Sequence, residues 1–128
     1  MKLLLDTHAL LWYLLGDGNL SRNARTAIDE NANEVLVSAV SAMEISTKYR
    51  IGKLPEAGVI AGRLAETIVM RGFQALPISV EHGDVAGALD IDHRDPFDRL
   101  LIAQAQIEQA LLVSNETLFD RFAVRRLW

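Results

Sequence analysis

Residues 2–12 read KLLLDTHALLW, an apolar run that ends in an aspartate and leads into a second apolar segment. Three consecutive leucines are typical of a strand that is buried on both faces, as in a parallel sheet. Thr7–Leu15 has the composition of a helix and is followed by Gly16, a residue that commonly ends helices. The stretch therefore predicts a buried strand and a helix, with Asp6 at the turn between them.

The same alternation of short apolar runs and helical segments continues along the chain. Further strands are predicted at Val35–Val37, Gln74–Ile78 and Leu111–Val113, with an edge strand at Ala123–Arg125. Helices are predicted from Ser21 to about Asn33, from Ser38 or Ser41 to about Tyr49, over Ala57–Met70, Val80–Leu89 and Pro96–Ala110, and as a short turn at Thr117–Phe122. Strands that alternate with helices predict an α/β fold, doubly wound, with a central parallel sheet flanked by helices.

Two helix starts carry capping signals. Ser41 followed three residues later by Glu44 matches a capping box. Asp95 is the expected cap of the helix that begins at Pro96, because proline is favoured at a first helical position. The polar residues 90–94 predict a loop before that cap.

Length and composition narrow the class of protein. At 128 residues we expect a single domain spanning 1–128. The chain has no cysteine, which excludes disulfides, thiolate nucleophiles and cysteine-bound zinc. Its apolar runs are shorter than the roughly 18 residues that a membrane helix needs, so we expect a soluble, unprocessed, cytoplasmic protein with no membrane partner.

Charge argues against one kind of nucleic-acid binding. The net charge of −4 does not suit a broad basic face, but it allows an acidic pocket that divalent cations neutralise. Local basic groups such as Lys48, Arg50 and Lys53 are interpreted as solvated helix faces.

Four acids fall near predicted strand–helix junctions: Asp6, Glu44, Asp98 and Glu116. In open parallel sheets, ligands bind outside the carboxyl ends of the strands, where residues distant in sequence meet. Each acid also has a structural interpretation: Asp6 and Asp98 suit a helix N-terminus, Glu44 a capping box, and Glu116 an exposed turn.

Taken together, the acids favour a metal site. Carboxylates without positive partners repel one another, and burial makes their ionisation costlier. Oxygen ligands without cysteine or a histidine-rich motif suit Mg²⁺ or Mn²⁺ more than zinc. Such ions can activate water for displacement at phosphorus. No phosphate-binding glycine loop or HExxH motif is present. Other residues are more consistent with a role in packing than with one in chemistry: His8, Trp12, Tyr13, Phe97 and Phe119.

The sequence resembles the PIN-domain proteins of the VapC toxin family. The resemblance rests on KLLLDTHALLW (2–12), VSAVSAMEISTK (37–48) with GKL (52–54), HRDPFDRLLIAQA (93–105) and LVSNETLF (112–119). It runs from about residue 2 to 126. It implies a PIN-like doubly wound fold and a Mg²⁺- or Mn²⁺-dependent endoribonuclease that acts as the toxin of a type II toxin–antitoxin pair.

The resemblance also assigns roles to residues. Asp6, Glu44 and Asp98 match the three central metal-binding and catalytic acids of the family, while Glu116 stands where the family usually has aspartate. The residues expected to orient these acids or contact substrate are Thr7, Ser114, Asp95 and Arg99. The implied partners are RNA as substrate, a second copy of the chain in a homodimer, a small cognate antitoxin protein, and operator DNA only through that antitoxin.

Two other classes remain open. A PIN-fold binding module with weak or no catalysis is kept open by Glu116. A phosphoaspartate protein, such as a haloacid-dehalogenase-like phosphatase or a receiver domain, also places an aspartate after its first strand. The phosphatase motif needs a second acid two residues later, where this chain has His8, and the acid pair and lysine of a receiver are not found.

Overall fold

A computed structural model of the chain describes residues 1–92 and 95–128. Its five strands form one sheet in the order β3-β2-β1-β4-β5. They are β1 (Lys2–Leu5), β2 (Glu34–Ser38), β3 (Gln74–Leu76), β4 (Leu111–Val113) and β5 (Arg126–Leu127). Every pairing in this sheet is parallel, which confirms the predicted sheet and places β1 at its centre.

Helices cover both faces of the sheet. The described residues form α1 (Thr7–Leu15), α2 (Arg22–Asp29), α3 (Ala39–Arg50), α4 (Leu64–Met70), α5 (Val80–Ala88) and α6 (Pro96–Glu108), with 3-10 turns at Pro55–Val59 and Thr117–Arg121. Alternate leucines of β1 serve two separate cores: Leu3 and Leu5 pack in one, and Leu4 packs against α6 in the other. Successive side chains of a strand point to opposite faces, so the doubly wound α/β class is confirmed. No described helix has the length and hydrophobicity needed to cross a membrane.

The junction after β1 has the predicted form. Asp6 is the N-cap of α1, and its Oδ1 accepts the N–H of Ala9 at 2.8 Å. Gly16 ends the helix with φ of +65°, in the left-handed region that glycine adopts without strain. These two residues fix where α1 begins and ends.

Two predictions about helices were wrong. Residues 57–70 are not one helix: Pro55–Val59 is a 3-10 turn, and residues 60–63, with Gly62 at φ +77°, separate it from α4. The N-cap of α3 is Ser38, whose Oγ accepts the N–H of Val40 at 3.0 Å. Ser41 lies inside α3, so the predicted capping box with Glu44 does not form.

Several boundaries also differ. The helix predicted to reach Asn33 ends at Asp29, and β3 ends at Leu76, directly before Pro77. The last strand is Arg126–Leu127 and not Ala123–Arg125, because its backbone pairs with Leu112 and Val113 of β4. Residues 90–92 of the predicted polar loop lie outside helices and strands, and residues 93 and 94 are outside the described part of the chain.

The predicted cap of α6 is confirmed and can be tested. Oδ1 of Asp95 accepts the N–H groups of Phe97 at 2.9 Å and Asp98 at 3.3 Å. Asp95→Ala should lower the free energy of unfolding by about 0.5–2 kcal/mol, whereas Asp95→Ser, which keeps an acceptor, should have a small effect. Urea denaturation of the two variants measures this. An alanine variant as stable as the serine variant would show that the cap contributes nothing.

Candidate active site

The acids singled out in the sequence meet at the carboxyl edge of the sheet. Asp6 follows β1, Glu44 lies on α3, Asp98 lies in the first turn of α6, and Glu116 follows β4. They share a cavity of about 80 Å³. Its lining residues are Asp6, Thr7, His8, Glu44, Lys48, Asp95, Asp98, Leu101 and Glu116. The volume is two to three times the roughly 30 Å³ that one water molecule occupies in the liquid.

Asp6 is the most deeply placed acid next to the central strand. The residue is only 5% exposed, and burial raises the pKa of its carboxyl group to about 6. The Ser114 hydroxyl and the Ala9 N–H oppose this shift by hydrogen bonding to the carboxylate, as does the nearby charge of His8, whereas Glu116 raises the pKa further. Charge at this position is therefore costly unless a cation balances it.

Both carboxylate oxygens of Glu44 have partners. The Thr7 hydroxyl lies 2.6 Å from Oε1 and 3.1 Å from the Oγ of Ser41. A threonine hydroxyl has one hydrogen, so Thr7 donates to the carboxylate and accepts from Ser41. The Lys48 Nζ donates to Oε2 at 2.6 Å. This network holds a buried carboxylate between α1 and α3.

Lys48 lines the cavity, so its interpretation as part of a solvated helix face was incomplete. Glu44 raises the pKa of the Lys48 ammonium through their hydrogen bond, and the charges of Asp95 and Asp98 act in the same direction, against desolvation. The signal was present in the i, i+4 spacing of Glu44 and Lys48, which places both side chains on one helix face.

The start of α6 brings two acids to the cavity. Asp95 caps the helix, and Asp98 is half-buried one turn further on. Both side chains line the cavity. Asp95 can therefore act both as a helix cap and as part of the site, because the start of α6 lies at the same cavity as the other acids.

Glu116 and Ser114 complete the edge after β4. The fully buried Ser114 Oγ accepts the N–H of Glu116 at 3.0 Å and bonds to the Asp6 carboxylate. Ser114 therefore links the end of β4 to the end of β1. Glu116 reaches the cavity from the rim, and it makes no side-chain cap for the 3-10 turn that it precedes.

Arg99 lies elsewhere. Its guanidinium donates to main-chain carbonyl oxygens at the end of α5 and in the following loop, those of Ala86, Gly87, Leu89 and Ile91, at 2.7–3.3 Å. It lines a different cleft, beside α5. These contacts tie α5 to α6. Arg99 is not among the described residues that line the acidic cavity, where it was expected to orient the acids or contact substrate.

The donor set suits a hard divalent cation, since the cavity offers carboxylate and hydroxyl oxygens. Within the described residues, however, no group of three or more acids and histidines is already arranged to hold a metal ion. The residue types at the cavity nevertheless fit such an ion.

The surroundings of the cavity bear on the remaining expectations. His8 lines the cavity and packs against Trp12 with tilted rings whose centroids are 5.6 Å apart. Phe119 is a core residue, as expected. A larger cavity of about 370 Å³ lies between α3, α4 and β3, but its lining is apolar and contains no acid. The smaller, acid-lined cavity is therefore the candidate active site.

The buried Asp6 gives a testable pH dependence of stability. Its pKa rises from 3.8 to about 6 on folding, so the folded protein holds its proton more tightly and loses stability as pH rises from 4 through 6. Without divalent ions, Asp6→Asn should therefore gain about 2–3 kcal/mol of unfolding free energy relative to wild type between pH 4 and pH 7. Asparagine still caps α1. Urea titrations of both proteins at pH 4 and pH 7 measure the difference in their unfolding free energies. A difference that is the same at both pH values would contradict the burial of a charged carboxylate.

Comparison with known proteins places this geometry in a family. Residues 3–125 match the sequence model of the PIN domain. The chain is 37% identical over 62 residues to "Ribonuclease VapC16" of Mycobacterium tuberculosis, a match that covers 48% of this chain and 43% of that protein. The chain thus spans less than half the length of that curated relative.

Solved structures agree on the fold. VapBC2 from Rickettsia felis, bound to a DNA fragment from its promoter, has a TM-score of 0.71 at 17% identity, with 98% of this chain and 96% of that chain covered. DNA-bound VapBC from Salmonella typhimurium has a TM-score of 0.70 at 19% identity and the same coverage. FitAcB from Neisseria gonorrhoeae has a TM-score of 0.67 at 18% identity, covering 97% of this chain and 96% of that chain. On the strength of the family match, which extends over nearly its whole length, this chain belongs to the PIN domain family.

Proposed function

We propose that the chain is a divalent-metal-dependent endoribonuclease that acts as the toxin of a type II toxin–antitoxin pair. The observation that carries the proposal is the convergence of five carboxyl groups on one small cavity that has a single lysine. Carboxylates this close together repel one another, and bound cations would offset that repulsion. The similarity to a protein named as a ribonuclease supports RNA as the substrate.

The proposed ligands are Asp6, Glu44, Asp98 and Glu116. When bound, Mg²⁺ or Mn²⁺ supplies positive charge at the phosphate and lowers the pKa of a water that attacks phosphorus. The protein's own groups prepare the site. Thr7 fixes one oxygen of Glu44, and Ser114 holds the Asp6 carboxylate at the end of β1.

Asp95 is proposed as a positioning residue. It holds the first turn of α6 by capping Phe97 and Asp98, and thereby sets where the Asp98 carboxylate points. A group that orients a ligand in this way contributes less to activity than the ligand itself. Membership of the PIN domain family leaves the phosphoaspartate alternative without support. An RNA cleavage assay distinguishes the remaining alternative, a binding module with weak or no catalysis.

The proposed partner is a small antitoxin protein. The similar solved structures include VapBC from Rickettsia felis and Salmonella typhimurium, each bound to DNA, and a toxin–antitoxin complex from Klebsiella pneumoniae. We propose a homodimer in the cytoplasm that meets operator DNA through the antitoxin.

The first test is cleavage of RNA by the purified protein. Cleavage of single-stranded RNA should require Mg²⁺ or Mn²⁺, stop with EDTA and return when the ion is restored. Asp6→Asn, Glu44→Gln and Asp98→Asn should each reduce single-turnover cleavage by more than about 100-fold, because each removes a charged ligand, whereas Asp95→Asn should reduce it by about tenfold or less. A matched DNA strand is the substrate control.

Three results would contradict this assignment. Cleavage that persists in excess EDTA would exclude the metal mechanism. An inactive Asp95→Asn together with an active Asp98→Asn would move the third ligand from Asp98 to Asp95. No cleavage by a folded, metal-bound wild type would favour the binding module.

The second test is biological. Induced expression in a bacterium should arrest growth and produce discrete new RNA ends, and co-expression of the small open reading frame beside the gene should prevent both. Asp98→Asn is the matched control, since it keeps the side-chain shape and should not arrest growth. Equal arrest by wild type and Asp98→Asn would show that toxicity does not depend on the acidic site.

A further inference from the structure

A single lysine among the described lining residues reaches into the cavity of carboxyl groups. The Lys48 Nζ lies 2.6 Å from Glu44 Oε2, while Thr7 donates to the other oxygen of the same carboxylate. Each oxygen of Glu44 therefore has a hydrogen-bond partner from the protein itself, in a cavity that four other carboxyl groups also line.

We propose that Lys48 competes with a divalent cation for the Glu44 carboxylate and so lowers the metal affinity of the site. The inference rests on the proposed function, because it concerns the metal that the proposed chemistry needs. Lys48 is then a positioning residue: it occupies one lone pair of Glu44 Oε2, and its positive charge opposes a cation that approaches the same oxygen.

The burial of the two partners supports this exchange. The Glu44 side chain is only 9% exposed, so its charge cannot be satisfied by bulk water and requires a partner. The Lys48 side chain is 32% exposed, and its stem is flexible. The ammonium can therefore move into solvent at small cost, whereas the carboxylate stays in the cavity.

The positive charge of Lys48 acts on other acids of the cavity as well as on Glu44. Asp95 and Asp98 also act on the Lys48 ammonium through their charges. A positive group among these acids offsets their mutual repulsion and reduces the negative potential that attracts a second cation. The competing interpretation is an ordinary helix-surface ion pair, which contributes little to any equilibrium.

The experiment is calorimetric titration of Mn²⁺ into RNA-free protein for wild type, Lys48→Met and Lys53→Met. Lys53 is exposed, lies five residues further along the chain and does not line the cavity, so its variant has the same net charge change. Lys48→Met should bind Mn²⁺ about tenfold more tightly, because the ion no longer has to displace a unit charge held 2.6 Å from Glu44 Oε2 in a water-like dielectric. Lys53→Met should match wild type.

A second pair of variants tests whether the competition acts through Glu44. In a Glu44→Gln background, adding Lys48→Met should give little of the tenfold gain, because the shared oxygen no longer carries charge. An equal gain in both backgrounds would overturn competition at Glu44. Melting curves check folding, and Lys48→Gln replaces Lys48→Met if the latter does not fold.

The outcomes separate this inference from the proposed function. A wild type that binds Mn²⁺ and cleaves RNA, with a Lys48→Met affinity that is unchanged or weaker, overturns the role of Lys48 alone. If neither wild type nor either Lys48 variant binds Mn²⁺, both the competition and the metal mechanism fail. Binding by Lys48→Met but not by wild type would support the competition in its strongest form.

Discussion

The buried carboxyl group of Asp6 is the constraint around which the rest of the site is arranged. It stands at the carboxyl end of the central strand, 5% exposed, with the Ala9 N–H and the Ser114 hydroxyl as partners. An ionised group in this position is unfavourable without hydrogen bonds and compensating charge. The neighbouring elements therefore have to present polar groups to it. As a result, the carboxyl edge of the sheet is polar, whereas both faces of the sheet are covered by apolar cores.

The same side chains that build the edge also hold the helices. Asp6 caps α1 and Asp95 caps α6, so each carboxylate is fixed to a backbone whose position depends on the apolar packing behind it. Helix α6 in turn packs on the face of the sheet that carries Leu4. Placing acids on rigid elements in this way restricts their movement, which is what a site with demanding ligand geometry requires.

Local signals explain what could be predicted. The leucines before Asp6 favour a buried strand, and the proline after Asp95 favours a helix start. Both preferences depend only on residues nearby in the chain, so these elements could be predicted. Errors arose where a local motif had a rival. Ser38 and Ser41 both suit a cap, and packing decided for Ser38 by placing the Ser41 hydroxyl against Thr7 on α1. That contact joins residues 34 positions apart.

By itself, the sequence determined the class of fold, the order of strands and helices, and the junctions at which Asp6, Glu44, Asp98 and Glu116 stand, because apolar periodicity and caps are short-range properties. Only the tertiary structure decided which groups share a cavity and which do not. It paired Glu44 with Thr7, brought the local Glu44–Lys48 pair into the acidic cavity, and placed Arg99 against the end of α5. Those choices depend on how α1, α3, α5 and α6 pack across the sheet, which short-range rules of sequence do not specify.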